Sequence, residues 1–216
     1  MTDLSRRIHG IYGILPEGLD TADLLIKADA ALSGGVKTLQ LRDKGMGFKE
    51  ALKRAKALRK LTQDHGARLF VNDSLQLAGE SEADGVHLGR SDMQSIAAIR
   101  AEHGNKLLIG VSCQGDAAFA QFVLKEGTDY VSFGAIFPTT SKQDVVPIGL
   151  ARLAKARQIF PAANICAIGG LTLEALPTVR DAGADCAAVI SSLFAAENIE
   201  QRARNMVEAW NNAPSV

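Results

Sequence analysis

One small turn, repeated along the chain, limits the fold more than any other feature of the sequence. Ala83-Asp84-Gly85-Val86, Gly127-Thr128-Asp129-Tyr130-Val131 and Gly183-Ala184-Asp185-Cys186 each close an amphipathic stretch and open a short apolar run, and Gly34-Gly35-Val36 holds the same place earlier. Glycine supplies the left-handed residue that ends a helix, and aspartate caps a tight helix-to-strand connection. Recurrence of one αβ turn means recurrence of one βα unit. The apolar runs 11–15, 38–41, 68–71, 85–88, 107–111, 130–133, 165–168 and 187–190 read as strands. Stretches 21–32, 48–65, 92–103, 116–126, 150–158, 172–182 and 198–210 carry apolar residues at helical period, and 73–78 is a shorter helix candidate. Asp92 and Thr172 stand where N-caps are expected, with Glu174 near the positive end of its helix. Alternation of eight strands with eight helical segments predicts an α/β chain folded as one (β/α)8 TIM barrel, a single domain over 1–216. A doubly wound open sheet is the alternative, but no Gly-x-Gly-x-x-Gly follows a strand to support a dinucleotide site.

Composition narrows the partners. The 24 Lys and Arg balance the 24 Asp and Glu, which gives no sign of a polyanion groove or a basic membrane face, and 5% aromatic residues leave little for base stacking. The three cysteines, Cys113, Cys166 and Cys186, form no CxxC and no zinc-like spacing, and their apolar neighbours suit buried thiols of a reducing compartment. The first ten residues lack the apolar stretch of a signal peptide, and no apolar run reaches the roughly 20 residues of a membrane span. The expectation is a soluble, cytoplasmic protein with no nucleic-acid or membrane partner.

A barrel places its chemistry at the C-terminal ends of its strands. Strand two ends in Gln40-Leu41-Arg42-Asp43-Lys44, where period-2 alternation turns Leu39 and Leu41 toward the helices and Gln40, Arg42 and Lys44 inward. Two inward cations are costly unless an anion meets them, either a ligand or a structural partner such as Asp73. Strand three ends in Asn72-Asp73, and strand four runs through His87-Leu88-Gly89 to Asp92. Carboxylates on adjacent strand ends suit Mg2+, which keeps waters and takes substrate oxygens, although Asp92 also suits a helix cap and Asp73 a loop. Strand five ends at Ser112, and strand six leads into Pro138-Thr139-Thr140-Ser141-Lys142, a polar cationic loop long enough for a lid or an ordinary surface turn. Strand seven ends in Gly169-Gly170 and strand eight in Ile190-Ser191, the usual phosphate seat of such barrels. His87 reads as a core or rim histidine, and no nucleophile–base constellation assembles.

Six of these segments, in order from Tyr12 to about Ser192, resemble the thiamine phosphate synthase family: Gln40-Leu41-Arg42-Asp43-Lys44, Val71-Asn72-Asp73, Asp84-Gly85-Val86-His87-Leu88-Gly89 with Asp92, Gly110-Val111-Ser112, Pro138-Thr139 to Lys142, and Ala167-Ile168-Gly169-Gly170. The resemblance implies a transferase that joins a pyrimidine methyl diphosphate to a thiazole phosphate with Mg2+, giving thiamine phosphate and pyrophosphate. It implies a pyrimidine diphosphate site of Gln40, Leu41, Arg42, Asp43, Lys44, Asn72, Ser112 and Lys142, with Arg42, Lys44 and Lys142 acting on the departing charge. Asp73 and Asp92 match the magnesium ligands, and Thr139, Thr140, Ser141, Gly170, Ile190 and Ser191 match the thiazole phosphate site. Its partners would be small phosphorylated substrates, and a homo-oligomer is compatible with it.

Three positions depart from the family pattern. Asp43 stands where Glu is usual, Ser141 where Thr is commoner, and Gln114 where many relatives carry His. The last bears on a rival, a thiazole tautomerase on the same barrel, whose proton transfer would need that His; an amide is neither acid nor base. A second rival is a non-catalytic barrel that only binds thiamine precursors, which would not need Arg42, Lys44, Asp73, Asp92 and Lys142 together.

Overall fold

A computed structural model describes residues 4–42, 44–91, 95–139 and 146–212. Eight parallel strands close in sequence order into a barrel: β1 (Gly10–Ile14), β2 (Thr38–Leu41), β3 (Arg68–Asn72), β4 (Gly85–Leu88), β5 (Leu108–Ser112), β6 (Tyr130–Gly134), β7 (Ile165–Ile168) and β8 (Cys186–Val189), with β8 pairing back onto β1. Around it run α1 (Thr21–Ser33), α2 (Phe48–Asp64), α3 (Leu75–Ser81), α4 (Ile96–His103), α5 (Ala117–Lys125), α6 (Gly149–Ile159), α7 (Leu176–Asp181), α8 (Ser191–Phe194) and α9 (Ile199–Asn211). The (β/α)8 expectation holds, and the open sheet is excluded by the closing β1–β8 pair. Among the described residues no helix is long and apolar enough to cross a membrane.

Helix starts follow their caps. Asp20, Ser74, Ser95, Asp116 and Asn198 each accept a hydrogen bond from a backbone N–H three residues on, opening α1, α3, α4, α5 and α9. Four expectations shift here. Helix α3 begins after Asp73, because Asp73 is left-handed at φ 60° and cannot enter it. Helix α4 begins at Ile96 on a Ser95 cap, while Asp92 lies outside the described residues. Thr172 does not cap α7, which starts at Leu176: Pro177 has no N–H with which to close a helical turn on Leu173, so turns occupy the intervening residues. Strand β8 stops at Val189 because Ile190, at φ −121° and ψ −93°, leaves the extended region to start the four-residue α8, too short to show a period in sequence.

The core has two layers. Between strands and helices lie the outward strand residues, such as Leu39, Leu41, Leu69, Val71, Val86, Val111 and Val131, buried against the helices. Inside the barrel a second cluster gathers Ile8, Tyr12, Ile14, Phe70, Leu108, Tyr130, Cys166, Cys186 and Ala188. Two inward glycines make room for its large rings. A Cβ on Gly85 would stand 2.2 Å from the Phe70 ring, and one on Gly110 2.0 Å from the Tyr130 ring. The rings fill the barrel edge-on, with Phe70 and Tyr130 centroids 5.6 Å apart at 83°.

The recurring aspartates close the opposite end. Asp84, Asp129 and Asp185 accept the backbone N–H of Leu69, Ile109 and Ile165, each on the preceding odd strand. Each also takes an arginine from the second helix before it in the chain: Arg59 of α2, Arg100 of α4 and Arg157 of α6. Arg6 and Arg7 add a second guanidinium to Asp129 and Asp185. The sequence repeat is therefore an ionic seam that ties helices to strands at the N-terminal end and leaves the C-terminal end for other work.

Candidate active site

At the C-terminal ends of β2, β3 and β4 the side chains form one polar chain. Gln40, inward on β2 and 2% exposed, donates from Nε2 to Asn72 Oδ1 at 2.9 Å. Asn72 Nδ2 donates in turn to Asp73 Oδ2. Asp73 Oδ1 accepts the Gly89 N–H at 3.1 Å, and its own N–H meets the His87 carbonyl at 2.8 Å, so strands β3 and β4 are laced across their ends. The left-handed turn at Asp73 brings its carboxylate back over this rim. Lys44 Nζ stands 3.4 Å from Asp73 Oδ2.

Arg42 lies just past the last residue of β2. Strand β2 ends at Leu41, so the two-residue period stops before Arg42, which pairs instead with Glu17 on the β1–α1 loop at 2.6 Å. The structural partner considered for Arg42, Asp73, is held by Lys44, which is well exposed. Leu41 keeps the outward position, its side chain buried among the helix-facing residues, so only its backbone can reach a ligand at the mouth. Asp43, Asp92, Thr140, Ser141 and Lys142 lie outside the described residues.

On the other side of the mouth, the loops after β6 and β7 are pressed together. Ile136 and Phe137 donate their N–H groups to the Ile168 and Gly169 carbonyls. Gly169 and Gly170 both have positive φ, and a Cβ on Gly170 would stand 2.4 Å from the Pro138 carbonyl oxygen. Only glycine allows this approach, which brings Gly170 beside the loop that carries Thr139. Ile190, just past β8, packs against the interior cluster, and Ser191 is exposed at the first residue of α8. Among the described residues no acceptor meets the Gly170 N–H, which leaves a backbone donor at a cradle of the kind that receives anions.

Ser112 ends β5 in register with Ser132 of β6, both inward. Gln114 just beyond is left-handed at φ 55° and exposed. Arg90 ties the β4–α4 loop to α5, 3.0 Å from Asp116 and stacked 4.3 Å over the Phe119 ring. The Phe119 N–H and Arg90 hold the Asp116 carboxyl below its usual range. Glu17, the Gly89 N–H and Arg90 are contributions that strand-end reasoning missed. Glu17 had a signal, an acid just after β1, whereas the other two depend on loop conformation.

A hard divalent cation seeks carboxylate and water oxygens. Asp73 fits that chemistry: it is partly exposed, already draws a cationic group to 3.4 Å, and sits at the mouth. Among the described residues no three His, Cys, Asp or Glu side chains gather, so substrate and water oxygens would complete any shell.

The family model described as thiamine monophosphate synthase matches residues 11–193. A thiamine-phosphate synthase of Methylobacillus flagellatus is 42% identical over 204 residues, covering 94% of this chain and 96% of the relative. Another, of Chromobacterium violaceum, is 41% identical over 207 residues, covering 96% and 98%. The solved thiamine phosphate pyrophosphorylase of Pyrococcus furiosus superposes with a TM-score of 0.86 at 30% identity, over 98% of this chain and all 100% of that one. The match spans every strand end described above, and the chain belongs to the thiamine monophosphate synthase family.

Proposed function

We propose that this protein is a transferase of thiamine biosynthesis that joins an aminopyrimidine methyl diphosphate to a thiazole phosphate, releasing pyrophosphate. The observation that carries the reading is the Gln40–Asn72–Asp73–Lys44 chain at the barrel mouth, facing a glycine cradle at Gly170 across the same opening in a chain of this family.

The chemistry needs no nucleophile from the protein. The C–O bond between the pyrimidine methylene and the diphosphate breaks with its electron pair leaving on oxygen, and the electron-rich aminopyrimidine bears the resulting cation. The thiazole nitrogen lone pair then forms the new C–N bond. Two tasks remain for the chain: to receive the departing negative charge and to hold two substrates in line. Arg42 and Lys44 take the first task, exchanging Glu17 and Asp73 for diphosphate oxygens, and Lys142 joins them from the β6–α6 loop. Gln40, Asn72 and Ser112 orient the pyrimidine, together with the Leu41 backbone and Asp43. Gly170, Ile190 and Ser191, with Thr139, Thr140 and Ser141, seat the thiazole phosphate. Asp73 and Asp92 would hold Mg2+, which when bound supplies positive charge against the diphosphate. The chain works in the cytoplasm as a single domain.

Gln114 argues against the tautomerase, since an exposed amide moves no proton. The test mixes protein, both substrates and a magnesium salt and measures pyrophosphate. Release that requires the thiazole partner is expected. No release in any combination overturns the proposal and leaves a barrel that only binds precursors.

A further inference from the structure

Tyr12 of β1, Tyr130 of β6 and His87 of β4 form a hydrogen-bonded chain through the centre of the barrel. The two phenol oxygens are 3.2 Å apart, and Tyr130 Oη is 2.8 Å from His87 Nδ1. The His87 ring is stacked on Tyr130, with centroids 5.6 Å apart and planes 23° from parallel. Both tyrosines are wholly buried, and burial raises their phenols well above the ordinary value, so each keeps its one proton. His87 is level with Asn72 in the β3–β4 register and so lies beside the polar chain of the mouth.

Counting protons settles which way the chain runs. Among the described residues the only hydrogen-bond partner of the Tyr12 hydroxyl is Tyr130. If His87 Nδ1 carried a proton it would donate to Tyr130, Tyr130 would donate to Tyr12, and the Tyr12 proton would be stranded among Phe70, Cys166 and Cys186. A buried donor without an acceptor costs about 1–3 kcal/mol. If Nδ1 is bare, Tyr12 donates to Tyr130, Tyr130 donates to Nδ1, and both phenol protons have an acceptor. We propose that Tyr130, backed by Tyr12, is a positioning residue that fixes His87 as the Nε2–H tautomer. The direction of the Nε2–H bond is then set from within the barrel, through the ring that Tyr130 holds. Substrate held by Asn72, which is level with His87 across the β3–β4 pair, should feel that setting, and this part rests on the proposed function.

The tautomer is read without substrate, by long-range 1H–15N correlation on protein labelled in its histidines, with His87→Gln assigning the signal among the four histidines. The wild type should show Nδ1 unprotonated and Nε2 protonated. Tyr130→Phe removes the donor to Nδ1 and should let the Nδ1–H form appear. Tyr12→Phe should keep the wild-type pattern, because Tyr130 still gains by donating to Nδ1. A wild type protonated on Nδ1, or a Tyr130→Phe spectrum unchanged from wild type, overturns the positioning role. Tyr130→Phe should also lower kcat/KM about 3–10-fold, carried mainly by KM, the worth of one neutral hydrogen bond. Unchanged kinetics overturn the substrate-facing part. Absence of pyrophosphate release in the wild type would refute the enzymatic reading instead, leaving the spectra to decide the tautomer.

Discussion

Gly110→Ala tests the packing on which the interior rests. The φ of Gly110 is outside the left-handed region, so the backbone accepts alanine and only the added methyl is on trial. That Cβ would stand 2.0 Å from Tyr130 Cζ, 2.2 Å from Cε1 and 2.4 Å from the hydroxyl, where ordinary contact begins at 3.4 Å. The ring must retreat by more than an ångström, and it has nowhere soft to go. Phe70 meets it edge-on at 5.6 Å, Tyr12 at 6.2 Å, and His87 lies stacked against it at 5.6 Å. Overpacking of this kind costs about 1–3 kcal/mol. Displacing the hydroxyl from His87 and Tyr12 adds about 1 kcal/mol for a lost buried hydrogen bond. The expected total of roughly 3 kcal/mol lowers the unfolding midpoint by about 10 °C in a chain of this length. Urea unfolding followed by circular dichroism measures it, and a double-mutant cycle with Tyr130→Leu isolates the clash. Leucine clears the space, so Gly110→Ala should cost less in that background by at least about 1 kcal/mol. A loss below about 1 kcal/mol in the wild-type background, or additive costs in the cycle, would refute the argument that Gly110 is small to admit Tyr130.

Three further outcomes follow from other parts of the molecule. Glu17→Gln frees the Arg42 guanidinium from a half-exposed ion pair worth at most about 1 kcal/mol, so the KM for the pyrimidine diphosphate should fall by up to about fivefold; an increase would mean that Glu17 assists binding. Asp129→Ala removes the carboxylate, only 8% exposed, that Arg6, Arg100 and the Ile109 N–H share, and should cost about 3–5 kcal/mol by denaturant titration, whereas Asp181→Ala, whose only ion pair among the described residues is with its chain neighbour Arg180, should cost under about 0.5 kcal/mol. Burial raises the Cys113 thiol to about 12 and pushes Cys186, Tyr12 and Tyr130 upward. The unfolded chain therefore sheds protons that the native state keeps, and stability, full below about pH 8.5, should fall as pH rises through 9 and 10; urea midpoints flat across that range would contradict the burial.

The fold was readable because its information is periodic. Strands β2, β4 and β7 have the expected bounds, since a four-residue apolar run between turn residues admits few alternatives. Helix starts were less readable where caps compete: Thr172 has the chemistry of a cap, but Pro177 decides where α7 can begin. The site divides the same way. Gln40, Asn72 and Asp73 follow from strand-end position and meet as a chain, because they sit on or next to the strands whose register fixes them. The partners of Arg42 and Lys44 did not follow, because both residues lie beyond the last paired residue of β2, where neither period nor register holds.

The inward tyrosines show why the rest was illegible. Neither Tyr12 nor Tyr130 carries a motif, and His87 alone reads as an ordinary core histidine. Their relation exists only through closure of the sheet, which lets Tyr12 of β1 reach Tyr130 of β6 inside the barrel and Tyr130 reach His87 of β4. Gly110 makes the same point from the other side. It lies in register with both His87 and Tyr130, so its missing side chain is the space in which the two rings stack. The barrel's interior is thus not filler beneath an independent mouth. The layer that closes the core through Phe70, Tyr130 and Tyr12 also orients the first polar side chain above it, so a methyl group added at Gly110 should be felt in stability and in the setting of His87 together.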